Sequence, residues 1–345
     1  MHSSGRSGSM TISVARTALL GAACVVALSL SGWNAVAADL RLGSNFGDTH
    51  SSTRALKDVF ATKVEELTQG RHTVSVFANS ELGQTSEMVN QAQSGINFGV
   101  YVSTAFYNSQ VPQLGVTNLP FVFSDRETAF KVIDGPMGEQ LKPLFEEKGL
   151  VVLGFMELGF RHITNSKRAI VEPDDVAGLK IRLQSNPVHI ATFNLLGASP
   201  VALDGTEIFA ALSQGVIDGQ ENPYSVINNL RLYDARQRYV SETGHFFDII
   251  VFAVSKSVLE GMTPEDREAV IEAGRLATAE QRRIAAEDEA ANRAAVEAKG
   301  VEITVLTPEQ REAFQAATAP VYDQVREALG QDLVDTFLSA IAAAK

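Results

Sequence analysis

Beyond residue 38 the chain alternates short apolar runs with longer stretches whose apolar positions fall on one side of a helix. Leu40-Arg41-Leu42-Gly43 opens this pattern as a short strand of alternating character. Residues 49 to 68 place Leu56, Val59, Phe60, Val64 and Leu67 at helical spacing, which predicts an amphipathic helix ended by Gly70. Thr73 to Phe77 reads as a second strand, residues 85 to 93 as a helix, and Phe98 to Val102 as a third strand. Strands and helices taking turns in this way predict an α/β fold with a largely parallel sheet.

A second block begins near residue 160. Phe160 to Thr164 and Leu179 to Leu183 read as strands, and Pro187 to Leu196 as a helix closed by Gly197. Thr206 to Ser213 is a further helix closed by Gly215, and Asp218 to Asn222 a short extended piece stopped by Pro223. The β-rich run Asp248 to Val254 is expected to lead back into the first block. Thr263-Pro264-Glu265-Asp266 then starts a helix, with an N-cap, proline at the first helical position and acids in the first turn. Its pattern persists to Lys299. Such a helix would run about 50 Å at 1.5 Å per residue, long enough to lie across two lobes. Gly274 leaves open a break into two helices. Val301 to Leu306 reads as a strand, and Thr307-Pro308-Glu309-Gln310 restarts a helix through a capping box.

The first 38 residues stand apart from this pattern. Arg6 and Arg16 precede an apolar stretch from Thr17 to Leu30, too short to span a bilayer, and small residues follow at Ala35, Ala37 and Ala38. This is the pattern of a secretory signal cut just before or after Ala38, so the mature protein is expected in the periplasm. The leader holds the only cysteine, Cys24, so an internal disulfide is excluded from the mature chain. It also holds Arg6 and Arg16 and no acid, so the formal charge of −12 becomes −14 beyond it. Such an acidic chain does not suit nucleic acid or anionic membranes, and any anion must be held by local basic groups.

Motifs of catalysis are missing. The sequence has no G-x-S-x-G elbow, no H-E-x-x-H, no phosphate-binding loop and no G-x-G-x-x-G. His50, His72, His162, His189 and His245 show no metal-ligand spacing, and neither a metal nor a cofactor is expected. Three polar positions remain. In Gly178-Leu179-Lys180-Ile181-Arg182-Leu183-Gln184, strand periodicity puts Lys180, Arg182 and Gln184 on one face. An arginine held by a strand suits a carboxylate, and the pattern alone equally allows a surface ion pair. Arg161, in Gly159-Phe160-Arg161, is a structural ion-pair residue or a ligand group. Asn222, in Gln220-Glu221-Asn222-Pro223, sits where α/β folds place ligand contacts, or simply turns the chain.

At these residues the chain resembles the DctP-type solute-binding proteins of tripartite ATP-independent periplasmic (TRAP) transporters. The resemblance includes Ser80-Glu81-Leu82-Gly83, Gly115 to Phe121, Gly159 to Asn165, Gly178 to Arg182, Gly197-Ala198-Ser199-Pro200, Glu207 to Leu212 and Gln214 to Pro223, in the family's order. It implies a two-lobed periplasmic-binding-protein-like α/β fold with a cleft, crossing strands and a long helix spanning both lobes. Lobe I would take residues 39–158 with about 248–287, and lobe II residues 159–247 with about 288–345. It implies a non-catalytic monomer that closes on a small carboxylate and docks on a membrane permease. Arg182 falls on the family's carboxylate clamp, Arg161 on a second contact and Asn222 on a polar contact. Gln184, on the strand face of Arg182, joins them. By position Asn45 and Ser103 face the cleft, and His245 is a contact or stands one layer behind. Many members carry an aromatic where this chain has Gly205, preceded by Asp204. Asp204 therefore either accepts from ligand hydroxyls, which favours a sugar acid over a C4-dicarboxylate, or caps the next helix. A sensory input module and a secreted enzyme acting on sugar acids are the other classes considered.

Overall fold

A computed structural model describes residues 38–345; residues 1–37 of the expected leader, Cys24 among them, lie outside the described residues. The strands are β1 Ala38–Gly43, β2 His72–Phe77, β3 Gly99–Ser103, β4 Leu150–Asn165, β5 Lys180–Leu183, β6 Ser199–Ala202, β7 Gly219–Asn222, β8 Tyr239–Ser255 and β9 Glu302–Val305. They join in one sheet of order β2-β1-β3-β8-β4-β7-β5-β6, with β9 against β8. β1 pairs in parallel with β2 and β3, and β5 in parallel with β6 and β7. Each half is thus a small parallel α/β unit, as the alternation predicts. The halves are joined by β4 and β8, which pair antiparallel with each other and with β7 and β3.

At 16 and 17 residues, β4 and β8 are far longer than the two short runs read from sequence. Residues 150–159 escaped that reading because the first part of β4 is nearly all apolar, with no alternation to count. Register shifts at Val152/Gly154, Glu157/Gly159 and Arg161/Ile163 break its periodicity further. At the second shift the backbone N–H and carbonyl of Glu157 turn to a side chain. Gln281 accepts from one at 2.7 Å and donates to the other at 2.7 Å.

Gln281 belongs to the helix Pro264–Glu297, which runs unbroken for 34 residues past Gly274. Val270, Ala273 and Ala277 join a core with β1, β3 and β8, while Val296 joins another with Ile208, Leu212 and Val240. One helix therefore packs into both lobes. Glycine at 274 is a matter of contact: a Cβ there would lie 2.8 Å from the Leu153 Cβ. A Cβ on Gly154 would meet the Thr278 hydroxyl in turn. The predicted first helix covers residues 51–67, with a π-helical middle at Leu56–Ala61. Leu56, Phe60 and Val64 are buried, whereas Leu67 at its end is exposed. The expected grouping of residues 288–345 into one lobe needs correction. Phe314 packs with the second lobe, but Val321, Val325, Val334, Phe337 and Ile341 share a core with Leu114, Phe123 and Phe145 of the first. Among the described residues no helix is long and apolar enough to cross a membrane.

Replacing Gly274 by alanine should destabilise the protein. Helix propensity alone favours alanine by about 1 kcal/mol, but the Leu153 Cβ belongs to a strand and cannot swing aside. A net loss of about 1–3 kcal/mol is expected from overpacking, and urea unfolding of the two proteins measures it.

Candidate functional site

Arg182 rises from the middle of β5, whose other face, through Leu179, Ile181 and Leu183, fills the second lobe's core. Its own face is also covered, leaving the side chain 1% exposed. The Nε and Nη2 atoms donate to the Leu203 carbonyl at 2.9 and 2.7 Å, which orients the guanidinium. Among the described residues its only recorded acceptor is that carbonyl, and no carboxylate pairs with it. Burial pulls its pKa down to about 10, with Glu221 working in the other direction. The surface ion pair that the strand pattern allows is thereby excluded. One edge of the guanidinium is spent on Leu203. The Nη1 and Nη2 edge keeps the donors a two-point carboxylate contact needs.

Arg161 is also fully buried, yet its surroundings are the reverse. It donates to Glu221 at 2.5 and 2.8 Å, to the Glu221 carbonyl at 2.6 Å and to Asp248 at 2.6 Å. These three residues sit on β4, β7 and β8, so the ion cluster stitches the strands that join the lobes. Burial opposes the arginine's charge, but the two carboxylates outweigh it and hold its pKa above the usual value. Burial likewise opposes the Glu221 charge, and Arg161 and His245 hold that carboxyl well below the usual range. Burial pushes Asp248 up, against Arg161 and Ser103. Arg161, expected as a second ligand contact, does not line the cleft cavity in this structure. Its charge is met from within the protein.

The cavity beside Arg182 is walled by Asn45, Ser103, Gln184 and Asn222, together with Phe46, His50, Phe106, Ile208, Val226 and Asn229. The structure therefore brings five of the expected residues, Arg182 among them, to one cavity. Two of them carry buried oxygens without a donor: Asn45 Oδ1 and Gln184 Oε1. Asn222 donates to the Gln220 side chain. Ser103 donates to the two Asp248 oxygens at 2.8 and 2.9 Å. His245 stands one layer behind, between Thr243 at 2.6 Å and Glu221 at 3.1 Å. Asp204 is away from the cavity. It caps the following turn through Thr206 and accepts from the Thr85 N–H and hydroxyl of the first lobe, at 3.1 and 3.2 Å. Of the two expected readings of Asp204, the structure shows the cap, and the residue is not on the lining of the cavity. A side chain at Gly205 would meet the Asn45 amide, with a Cβ 2.9 Å from its nitrogen. Asn45 thus approaches the place where the family resemblance leads one to expect an aromatic.

Sequence reasoning missed the apolar walls and the two acids of the ion cluster. Asp248 carried a usable signal, as a lone acid heading the apolar run 249–254 that must find a buried partner. Among the described residues no cluster of His, Cys, Asp and Glu is placed to hold a metal.

Replacing Arg161 by methionine leaves two buried carboxylates unpaired, so a loss of about 3–5 kcal/mol is expected near pH 7.5. The folded pKa of Glu221 lies below its unfolded value. Its stabilisation is present above that unfolded value and fades as pH falls through the folded one. In the variant the carboxyl loses its partner and takes up a proton more readily. The difference between the two proteins should therefore shrink toward pH 5, as denaturant melts at both pH values would show.

The family model for bacterial extracellular solute-binding proteins, family 7 (DctP), matches residues 42–328. A solute-binding protein of Verminephrobacter eiseniae is 38% identical over 82% of this chain and 84% of its own. The sugar acid-binding protein DctPAm of Advenella mimigardefordensis, solved with galactonate, is similar with a TM-score of 0.87 and 31% identity, over 90% of this chain and 99% of its own. A TRAP periplasmic solute-binding protein of Sulfurospirillum deleyianum, solved with succinate, is similar with a TM-score of 0.84 and 31% identity, over 89% and 99%. A two-lobed fold with an arginine-walled cleft, matched along most of its length by this model, makes the chain a member of the DctP family of bacterial extracellular solute-binding proteins, and a binding protein rather than an enzyme.

Proposed function

We propose that this protein, after export to the periplasm, captures a small hydroxylated organic acid as a monomer and presents it to the membrane subunits of a TRAP transporter. The observation that carries this reading is Arg182, a guanidinium 1% exposed whose recorded acceptor is one backbone carbonyl. A buried cation in that setting takes an anion, and the edge left open matches a carboxylate. The donorless oxygens of Asn45 and Gln184 on the lining of the same cavity favour a ligand that brings hydroxyl hydrogens. A sugar acid such as an aldonate or uronate does so. A plain C4-dicarboxylate would leave both oxygens unpaired, each at a cost of about 1–3 kcal/mol. The relatives solved with galactonate and with succinate show that their family takes both kinds of ligand.

Binding uses no chemistry. A charge-assisted hydrogen bond contributes about 1.5–3 kcal/mol, and micromolar affinity needs about 8 kcal/mol. Arg182 therefore shares the work with the amides and with Phe46, Phe106, Ile208 and Val226. Asn45 follows β1 and Ser103 ends β3, both of the first lobe, whereas Arg182, Gln184 and Asn222 belong to the second. A ligand touching all of them shifts the equilibrium toward closure.

Calorimetry with galactonate, glucuronate and succinate tests this reading. Arg182→Ala should weaken binding of the preferred acid by about 2–5 kcal/mol, and Arg182→Lys should weaken it too, because a lysine lacks the planar fork. Wild-type affinity in Arg182→Ala would refute the anchor. Equal loss of galactonate and succinate affinity in Gln184→Leu would refute the hydroxyl preference.

A further inference from the structure

A second cavity lies behind the cleft, between the start of the first helix, β4 at the Glu157 shift, the helix Tyr224–Asn229 and residues 285–292 of the long helix. At about 280 Å³ it is much the larger of the two, the cleft cavity holding about 30 Å³. His50, Leu158 and Asn229 form the wall between them.

Three polar atoms on its lining are buried without a partner: His50 Nε2, Glu157 Oε2 and Ser225 Oγ. The residues His50 and Glu157 are only 2% and 3% exposed. Their chemistry is complementary. His50 Nδ1 accepts from the Ser52 N–H, which places the ring hydrogen on Nε2 and makes that atom a donor. Burial holds the ring neutral, with its pKa near 3. Glu157 offers an acceptor, and burial raises its carboxyl to about 7 despite Arg126, so near neutrality it both gives and takes a hydrogen. Ser225 does both as well.

The lining also selects by charge. Glu157, Asp288 and Glu289 line the cavity, and among the described residues it has no unpaired cation such as the cleft has in Arg182. Asp288 and Glu289 are neutralised by Arg54 and Arg126. A simple cation would leave the His50 donor without an acceptor, and no metal-binding cluster stands among the described residues. Hydroxyl groups answer all three atoms, since a hydroxyl can accept from His50 or Ser225 and donate to Glu157. Phe160 and Tyr224 add aromatic surface beside these groups, suited to the C–H face of a polyol or sugar ring.

We propose that this cavity is a second binding site, for a neutral polyhydroxylated molecule such as an alditol or monosaccharide, held by His50, Glu157 and Ser225. It does not depend on the carboxylate reading of the cleft.

Ligand-observed NMR and calorimetry on the mature protein with erythritol, xylitol, sorbitol, glucose and galactose test it. At least one is expected to bind with a Kd on the order of 1 mM or tighter. Ser225→Leu, at a half-buried helix position, should weaken that binding tenfold or more, while Arg182→Ala and Gln184→Leu in the cleft leave it unchanged. Glu157→Gln keeps the shape of the site and should weaken it several-fold. Absence of binding by all five probes to the wild-type protein would overturn the proposal. So would binding that survives Ser225→Leu, or binding that the two cleft variants abolish, which would place the probe in the cleft. Carboxylate titrations of the same variants report separately on the Arg182 anchor.

Discussion

A guanidinium taken out of water must find negative charge or acceptors of comparable strength, or its burial costs several kcal/mol. Two arginines of this protein meet that demand in opposite ways. Arg161 is held by Glu221 and Asp248 on neighbouring strands, and its charge is used up in joining the lobes. Arg182 leans on the single carbonyl of Leu203 and keeps an open edge toward the cavity. The crossing strands can be rigid because the first cluster is closed. On the proposed reading, the cleft takes an anion because the second is not.

This division also reconciles the site with the protein's overall charge. At −12 the chain repels anions at long range. Beyond about 8 Å at physiological ionic strength, however, that field is largely screened. A buried donor pair is screened far less and acts only on an anion that has already entered. On the proposed reading, the acidic surface sets how often anions arrive, and Arg182 sets how firmly one is kept.

The α/β class, the capping residues of the long helix and the polar face of β5 were all legible in sequence, because each rests on local periodicity or turn chemistry. Arg182 was legible only as a candidate, since a strand's polar face looks the same whether water or another lobe covers it. Arg161 shows the converse. Its place in Gly-Phe-Arg was plain, but Glu221 is 60 positions away and Asp248 87, and their convergence is a property of strand order. The upstream part of β4 and the docking of residues 320–344 on the first lobe were hidden for a related reason. A strand buried on both faces has no alternation, and an amphipathic helix does not say which core it will join. Asp204 was read as a choice between ligand and cap. The geometry assigns it to the cap and to Thr85 across the cleft.

The bond from Asp204 to Thr85 bears on how the cleft works. In this arrangement the lobes meet closely enough that the cleft holds about 30 Å³, room for only one or two water molecules. A six-carbon acid cannot thread such a space, so the lobes must part to admit it and break the Thr85 contacts as they do. Those contacts involve no cleft group, so they favour this arrangement without choosing a ligand. Choice falls to groups left unsatisfied by closure alone: the free edge of Arg182 and the oxygens of Asn45 and Gln184. Closure over nothing buries all three at a cost, and closure over a hydroxylated acid removes that cost. On the proposed reading, the difference between these two free energies is one part of what distinguishes an occupied receptor from an empty one.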